Sequence, residues 1–425
     1  MTRPYTPARP RAAARPLLLP LLLPLLLLLL AGASSCSSFE PVDAPGTPEA
    51  PAPAPAEVAE AVPTYEIDVD AAAFRDMLAR YTEDIELPAR VTLRRGARVA
   101  IAAAPAEIQV KGNFSAAFPL KSLGIKLDDE VDNADGLVLD CPDLLDGHSL
   151  ARVRSLRLRN GGNDFTGTLL KDLAYARLVA GSDLAVVPYY GEPAAAFVNG
   201  EFYGLLNARS EGNANGLSRL IGVRKRDLDL AELDDAPRFG VKEGDGEVFA
   251  RLERALRDGD RAAAMRLVDE ESFTDFLLTG ALFAVWDWPY KNVRLYAVRG
   301  GALRFFAFDF DVASERHVER PLLTHIRDRP DNLITDLFEL AYADPGFRDR
   351  FWARRDALVD GGALAPRRLR GHFEALAERY APVIDHQTAA YGHPVSRAAW
   401  YLRMERHVEQ YEHRYAVFAR EKRAD

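Results

Sequence analysis

Two groups of oxygen-bearing side chains stand out in the second half of the sequence. One is Asp287 and Asn292, an Asp-x-x-x-x-Asn spacing inside the run Trp286–Asn292. The other is Asp309 and Asp311, alternating with Phe308 and Phe310. Residues two apart on a strand point to the same side, so these two carboxylates share a face if the strand continues through them. Phosphoryl transfer needs such a set. One carboxylate orients the attacking group and takes its proton, while hard oxygen ligands hold Mg2+ or Mn2+ against the phosphates. On that reading Asp287 is the catalytic base, and Asn292, Asp309 and Asp311 are the metal ligands. A plainer reading stays open. Asp-x-x-x-x-Asn also caps loops, and a Phe-Asp-Phe-Asp strand end often forms an Asx-turn. The neighbours Trp286, Trp288, Tyr290, Phe308 and Phe310 read most simply as core packing.

The elements around these residues give the same order as a protein kinase: a base, an Asn five positions later, a hairpin, then an Asp. Residues 246–284 have helical spacing, with Ser272 a plausible N-cap for the last helix. Strand-like runs follow at 293–298 and 303–308, joined at Gly300-Gly301. Further helical stretches are expected at 346–359, 366–380 and 398–422. In the front half, a short helix at 70–81 precedes β-prone runs between 87 and 110, then at 120–127 and 153–159. A helix at 167–180 and strands at 194–199 and 202–206, turning at Asn199-Gly200, complete it. A β-rich front half (65–212) and a mainly helical back half (213–425) make an α+β fold with two lobes.

Composition narrows the function classes. The chain has 425 residues, 48% of them hydrophobic, enough for a sizeable core. A net charge of −9, with no dense basic run in the body of the chain, argues against nucleic acid as a partner. An acidic protein that handles ATP must gather positive charge locally or use a metal ion. Only eight residues are Lys, which makes each slightly more informative. Two cysteines, Cys36 and Cys141, cannot build a disulfide framework or a Cys-based zinc site, and the scattered His residues lack zinc-hydrolase spacing.

The N-terminus reads as an address. Arg3, Arg9, Arg11 and Arg15 precede a short apolar stretch and small residues, the pattern of a secretory signal over residues 1–35. Ala33-Ser34-Ser35-Cys36 resembles a bacterial lipobox. That implies cleavage before Cys36, lipid on its sulfur, and a mature protein anchored in the cell envelope, on the periplasmic or outer-membrane face. Residues 36–64 are rich in Pro and Ala and read as an extended tether.

Several blocks together resemble the CotH (spore coat protein H) kinase family. They are Val110–Ser115 followed by Phe118–Ser122, the strand and turn of residues 156–176, the hairpin 198–211, the Asp287–Asn292 loop and the Phe308–Asp311 doublet. The resemblance covers about residues 65–420. It implies an atypical protein-kinase-like fold that uses ATP with Mg2+ or Mn2+ and phosphorylates exported or surface proteins on Ser or Thr. It also implies that Lys121 pairs with nucleotide phosphates, assisted by Lys111. Arg159, Asn160, Asn163 and Asp164 would hold phosphate or peptide, or else only form the turn and cap the next helix. One departure concerns the Glu that ends the family's hairpin. Ser210 stands there, with Glu211 one residue on and facing the other way. Adenylylation or glutamylation on the same fold, and a non-catalytic pseudokinase, remain alternatives.

Overall fold

Hydrophobic alternation in the front half closes a barrel. The computed structural model describes residues 53–128, 137–139, 150–233, 238–328 and 331–421. The expected signal stretch, Cys36, Cys141 and the first part of the expected tether lie outside them. Seven strands surround the first core in the order Thr64–Val69, Glu86–Arg95, Arg98–Lys111, Ser122–Leu127, Ser155–Arg159, Glu201–Arg209 and Gly191–Val198, which returns to the first. All neighbours are antiparallel except the closing pair, Thr64–Val69 with Gly191–Val198. The strand period of two sends Ile67, Val91, Ile108, Leu123, Ile125, Leu156 and Leu158 inward, all essentially buried. Their neighbours Lys111, Gly124, Arg157, Arg159, Asn207 and Arg209 therefore stand on the outer face.

The back half is helical but carries more sheet than the expected single hairpin. A five-stranded sheet runs in the order Gly240–Glu243, Leu228–Leu233, Val293–Val298, Arg304–Ala307 and Val187–Pro188. The strand Leu228–Leu233 reads Leu-Asp-Leu-Ala-Glu-Leu, too short and too irregular in its alternation to show a clear strand period. The helical segment after it is three helices, Glu247–Arg257, Arg261–Leu267 and Glu270–Leu282. Asp269, not Ser272, caps the last: its carboxylate accepts from the Ser272 amide at 3.0 Å. Ser272 Oγ instead accepts from Phe305 N at 3.0 Å and ties this helix to the strand Arg304–Ala307.

The helix Lys171–Ala180 is buried along almost its whole length and joins the two halves. The C-terminal helices clamp it. Trp400 Nε1 donates to Thr168 O at 2.7 Å, just ahead of the helix, and His407 Nε2 lies 3.1 Å from Tyr175 Oη. Tyr380 donates from its hydroxyl to Leu206 O at 2.5 Å, fastening the helix Pro366–Tyr380 to the barrel. Among the described residues no helix is long and apolar enough to cross a membrane.

Packed structure extends ahead of Tyr65, into the stretch expected to be tether. Pro55–Ala59 is a helix with Pro at its first turn, and Val58 and Val62 are fully buried against the barrel. The Pro/Ala composition masks two Val residues that belong to the core. Deleting residues 53–62 is expected to cost roughly 3–6 kcal/mol, at about 1.5–3 kcal/mol for each buried Val. A denaturant midpoint unchanged by the deletion would contradict this packing.

Candidate active site

The outer face of the barrel and the end of the five-stranded sheet enclose a cleft of about 730 Å³. Lys111, Arg159, Asn163, Asp287, Asn292, Asp309 and Asp311 all line it. Of the expected nucleotide and phosphate residues that the structure describes, Lys121, Asn160 and Asp164 do not. The Lys121 ammonium donates to Phe118 O at 2.8 Å and lies 4.3 Å above the Tyr81 ring, and the Lys121 backbone N and O bond the Tyr203 hydroxyl. The expected role of Lys121 with nucleotide phosphates is therefore corrected: the side chain is spent on its own loop.

The loop that carries Asp287 is held from behind. The Trp288 ring presses against Gly280, where an added Cβ would stand 2.6 Å from it, so only glycine lets the loop approach the helix this closely. On its other side Trp288 stacks on His325, whose Nε2 reaches Val285 O at 3.1 Å. Ser314 donates to Phe283 O from both its amide and its hydroxyl. Asn292 has a left-handed backbone, φ 58°, which Asn tolerates better than most residues. Its amide nitrogen donates to Asp287 Oδ2 at 3.1 Å. Asp287 Oδ1 is buried with no hydrogen-bond partner. Burial, and then the nearby charge of Asp309, push the Asp287 pKa up to about 6.

Asp309 and Asp311 meet, but not by strand alternation. The strand ends at Ala307, Asp309 takes a left-handed backbone with φ 65°, and residues 310–312 form a 3-10 turn. What gathers them is Arg159. Its Nη2 lies 2.6 Å from Asp309 Oδ1 and also bonds Asp311 Oδ2. Asn163 completes the seat of Asp311, donating from its backbone at 2.9 Å and from its side chain at 3.3 Å. Gly162, with φ 60°, lies directly under this pair, and any side chain there would occupy the position of the Asp311 carboxylate. Burial pushes Asp311 up, and its neighbour Asp309 adds to that. Asp309 itself is lowered, because the Arg159 and Arg209 charges outweigh its burial.

The two readings of the strand-to-helix junction divide by residue. Asn160 is structural, with Nδ2 donating to Ser115 O and Leu120 O, and Oδ1 accepting from Ser122 Oγ and Gly162 N. Asp164 accepts from Thr168 and from Lys171 N, so it only shapes the turn and helix start. Arg159 and Asn163 face the cleft. Glu211 acts electrostatically on Lys111, not on Lys121, while Ser210 Oγ accepts from Tyr190 N. Phe308 packs on Tyr189 and Phe306 as expected of core packing, and it also lines the cleft under the Arg294 guanidinium, 4.5 Å from its ring centre.

Asp172 and Arg209 carry weight that spacing alone did not reveal. Asp172 Oδ2 pairs with Arg209 Nη1 at 2.5 Å and lies 3.7 Å from Arg159 Nε, while its Oδ1 accepts from Phe310 N at 2.8 Å. A charged pair, Lys171-Asp172, opening a mostly apolar helix was the available signal. The acids Asp172, Asp309 and Asp311 thus surround the guanidinium groups of Arg159 and Arg209, three negative groups against two positive, and Asp287 lies near Asp309 and Lys291. Buried charge left uncompensated is costly, so the site either keeps protons or takes up a cation. Among the described residues no three His, Cys, Asp or Glu side chains form a ready-made metal cluster. Asn292, Asp309 and Asp311 nonetheless bring side-chain oxygens to one cleft, a donor set that fits a hard divalent cation.

Comparison with protein-family models matches residues 247–418 to the family described as CotH kinase protein. The matched segment contains Asp287, Asn292, Asp309 and Asp311 and leaves the barrel outside it. Comparison with curated proteins finds no match.

His325 gives the site a measurable pH dependence. Burial first, then the Arg414 charge, push its pKa down to about 3. The fold therefore admits only the neutral ring. The stability this adds is complete above the ordinary value near 6.5 and is lost as pH falls towards 3. Thermal midpoints should fall across that window, with a shallower fall in His325→Gln. Identical slopes would contradict the buried, neutral ring.

Proposed function

We propose, from the match of residues 247–418 to the CotH kinase protein family, a metal-dependent, ATP-using enzyme that phosphorylates Ser or Thr of exported or cell-surface proteins. One observation carries the reading: acids from the Asp287 loop and the Asp309–Asp311 turn face a cationic barrel wall across a single cleft. On this proposal the barrel is the front lobe and the helical part the back lobe of a kinase-like division. The lipid on Cys36 would hold the enzyme at the envelope, where its acceptors pass.

The residues divide the work as follows. Asp287 lies at the cleft edge, and its unpartnered Oδ1 accepts the acceptor hydroxyl proton. As the Ser or Thr hydroxyl oxygen bonds the γ-phosphorus, the bond from phosphorus to the bridging β-γ oxygen breaks and ADP leaves. Asn292 orients Asp287 through the 3.1 Å hydrogen bond. Asn292, Asp309 and Asp311 would hold Mg2+ or Mn2+, which when bound offsets negative charge on the phosphates. Lys111 and Asn163 bring donors to the cleft from the opposite side.

A second reading has one specific observation in its favour. Arg159 already bonds both Asp309 and Asp311, as it would in a non-catalytic module that binds a surface partner. Transfer of label decides between them. Purified protein with γ-labelled ATP, Mn2+ and an envelope extract should label protein. Asp287→Asn should lower the rate by about 10²–10⁴-fold, the usual share of a general base. Label from α-labelled ATP would indicate adenylylation, and AMP or ADP formed only with added Glu would indicate glutamylation. Absence of any turnover, with no nucleotide-dependent rise in melting temperature, would leave the binding module.

A further inference from the structure

Arg157 stands on the cleft side of the barrel without a carboxylate to hold it. In the strand Ser155–Arg159, Leu156 and Leu158 fill the barrel core, so Arg157 and Arg159 both face outward. Arg159 is committed to Asp309 and Asp311, and Arg209 to Asp172. Arg157 makes no ion pair among the described residues, yet it lines the cleft beside them. Its register partner across the sheet is Arg209. Like charges directly opposite on neighbouring strands destabilise a sheet.

A third cation is steered to the same place. Lys111 ends the strand Arg98–Lys111, and its aliphatic stem lies across Gly124. A Cβ on Gly124 would stand 2.8 Å from Lys111 Cε, so the absence of a side chain there makes the path. Gly124 is itself the register partner of Arg157. Burial lowers the Lys111 pKa and Arg157 adds to that, while the acids Glu211, Glu86 and Asp84 oppose it. Burial and then Arg159 push Arg209 down to about 10, with Arg157 contributing in the same direction. The barrel wall thus gathers three cations side by side: Arg209 is paired with Asp172, Lys111 donates to Gln109 Oε1 with Glu211, Glu86 and Asp84 nearby, and Arg157 makes no ion pair among the described residues.

We propose that Lys111 and Arg157, backed by Arg209, form a polyphosphate-binding subsite that takes the phosphate chain of the nucleotide. Arg159, tied to the acids, is the cation that stays with the turn, and Arg157, two residues earlier on the same face, is the one free to bind phosphate. A planar guanidinium and a mobile ammonium together suit adjacent phosphate oxygens. This assignment rests on the nucleotide-using reading above but is separable from it by experiment.

Titration calorimetry of the full chain with inorganic tripolyphosphate, ATP and adenosine, without added metal, tests it. Wild type should bind tripolyphosphate. Arg157→Gln should weaken tripolyphosphate and ATP alike by about ten- to hundredfold, the equivalent of one charge-assisted hydrogen bond. Arg157→Lys should recover part of the loss, and adenosine should bind both proteins equally. Wild type that ignores tripolyphosphate, or an Arg157→Gln protein of unchanged affinity, would overturn the subsite. So would equal weakening of adenosine. Arg157-dependent tripolyphosphate binding without phosphoryl transfer to protein would leave the subsite standing and remove the kinase reading. Undiminished transfer by Arg157→Gln would do the reverse.

Discussion

The guanidinium of Arg159 sits among three carboxylates that come from different parts of the chain. Asp172 opens the central helix, Asp309 turns the chain out of the second sheet, and Asp311 follows it in the 3-10 turn. Arg159 itself is the last residue of a barrel strand. One side chain therefore sets how the barrel, the buried helix and the acid-bearing turn stand relative to each other. A buried ion cluster of this kind pays a large desolvation penalty, and removing one partner typically costs roughly 3–5 kcal/mol because the others are left uncompensated. The glycines beneath it follow from the same demand. Gly162 leaves room for the Asp311 carboxylate, and Gly280 lets the Asp287 loop close down behind.

Charge across the cleft is unevenly shared. Asp172, Asp309 and Asp311 outnumber the two guanidinium groups, Arg159 and Arg209, that pair with them, while Arg157 on the barrel wall makes no ion pair among the described residues. Each wall alone is strained. A divalent cation on one side and a phosphate chain on the other would relieve both, and each would bring the other closer. The left-handed backbones of Asn292 and Asp309 point the same way, since strained conformations persist where the surroundings over-determine them.

Much of this was legible in the sequence, for definite reasons. The Asp287 to Asn292 interval survives because both ends of one short loop are fixed by the elements beside it. The hairpin 293–308 and the long C-terminal helices follow from period alone. Other features depend on contacts between distant segments. Asp309 and Asp311 do share a partner, but through a left-handed turn that strand alternation cannot foresee. Lys121 looked suited to phosphate, yet Phe118 O and the Tyr81 ring claim it. Asp172 is invisible as a site residue until Arg209 and Phe310 close on it. The Pro/Ala stretch hid Val58 and Val62, because composition averages over the two residues that pack.

The central claim is that Asn292, Asp309 and Asp311 take up a divalent cation beside a nucleotide. Electron paramagnetic resonance of Mn2+ added to the protein with ADP reads that directly. The account predicts one bound Mn2+ per chain whose signal requires the nucleotide and disappears in Asp309→Asn. Free Mn2+ alone in the wild-type sample, or bound Mn2+ untouched by Asp309→Asn, would contradict it.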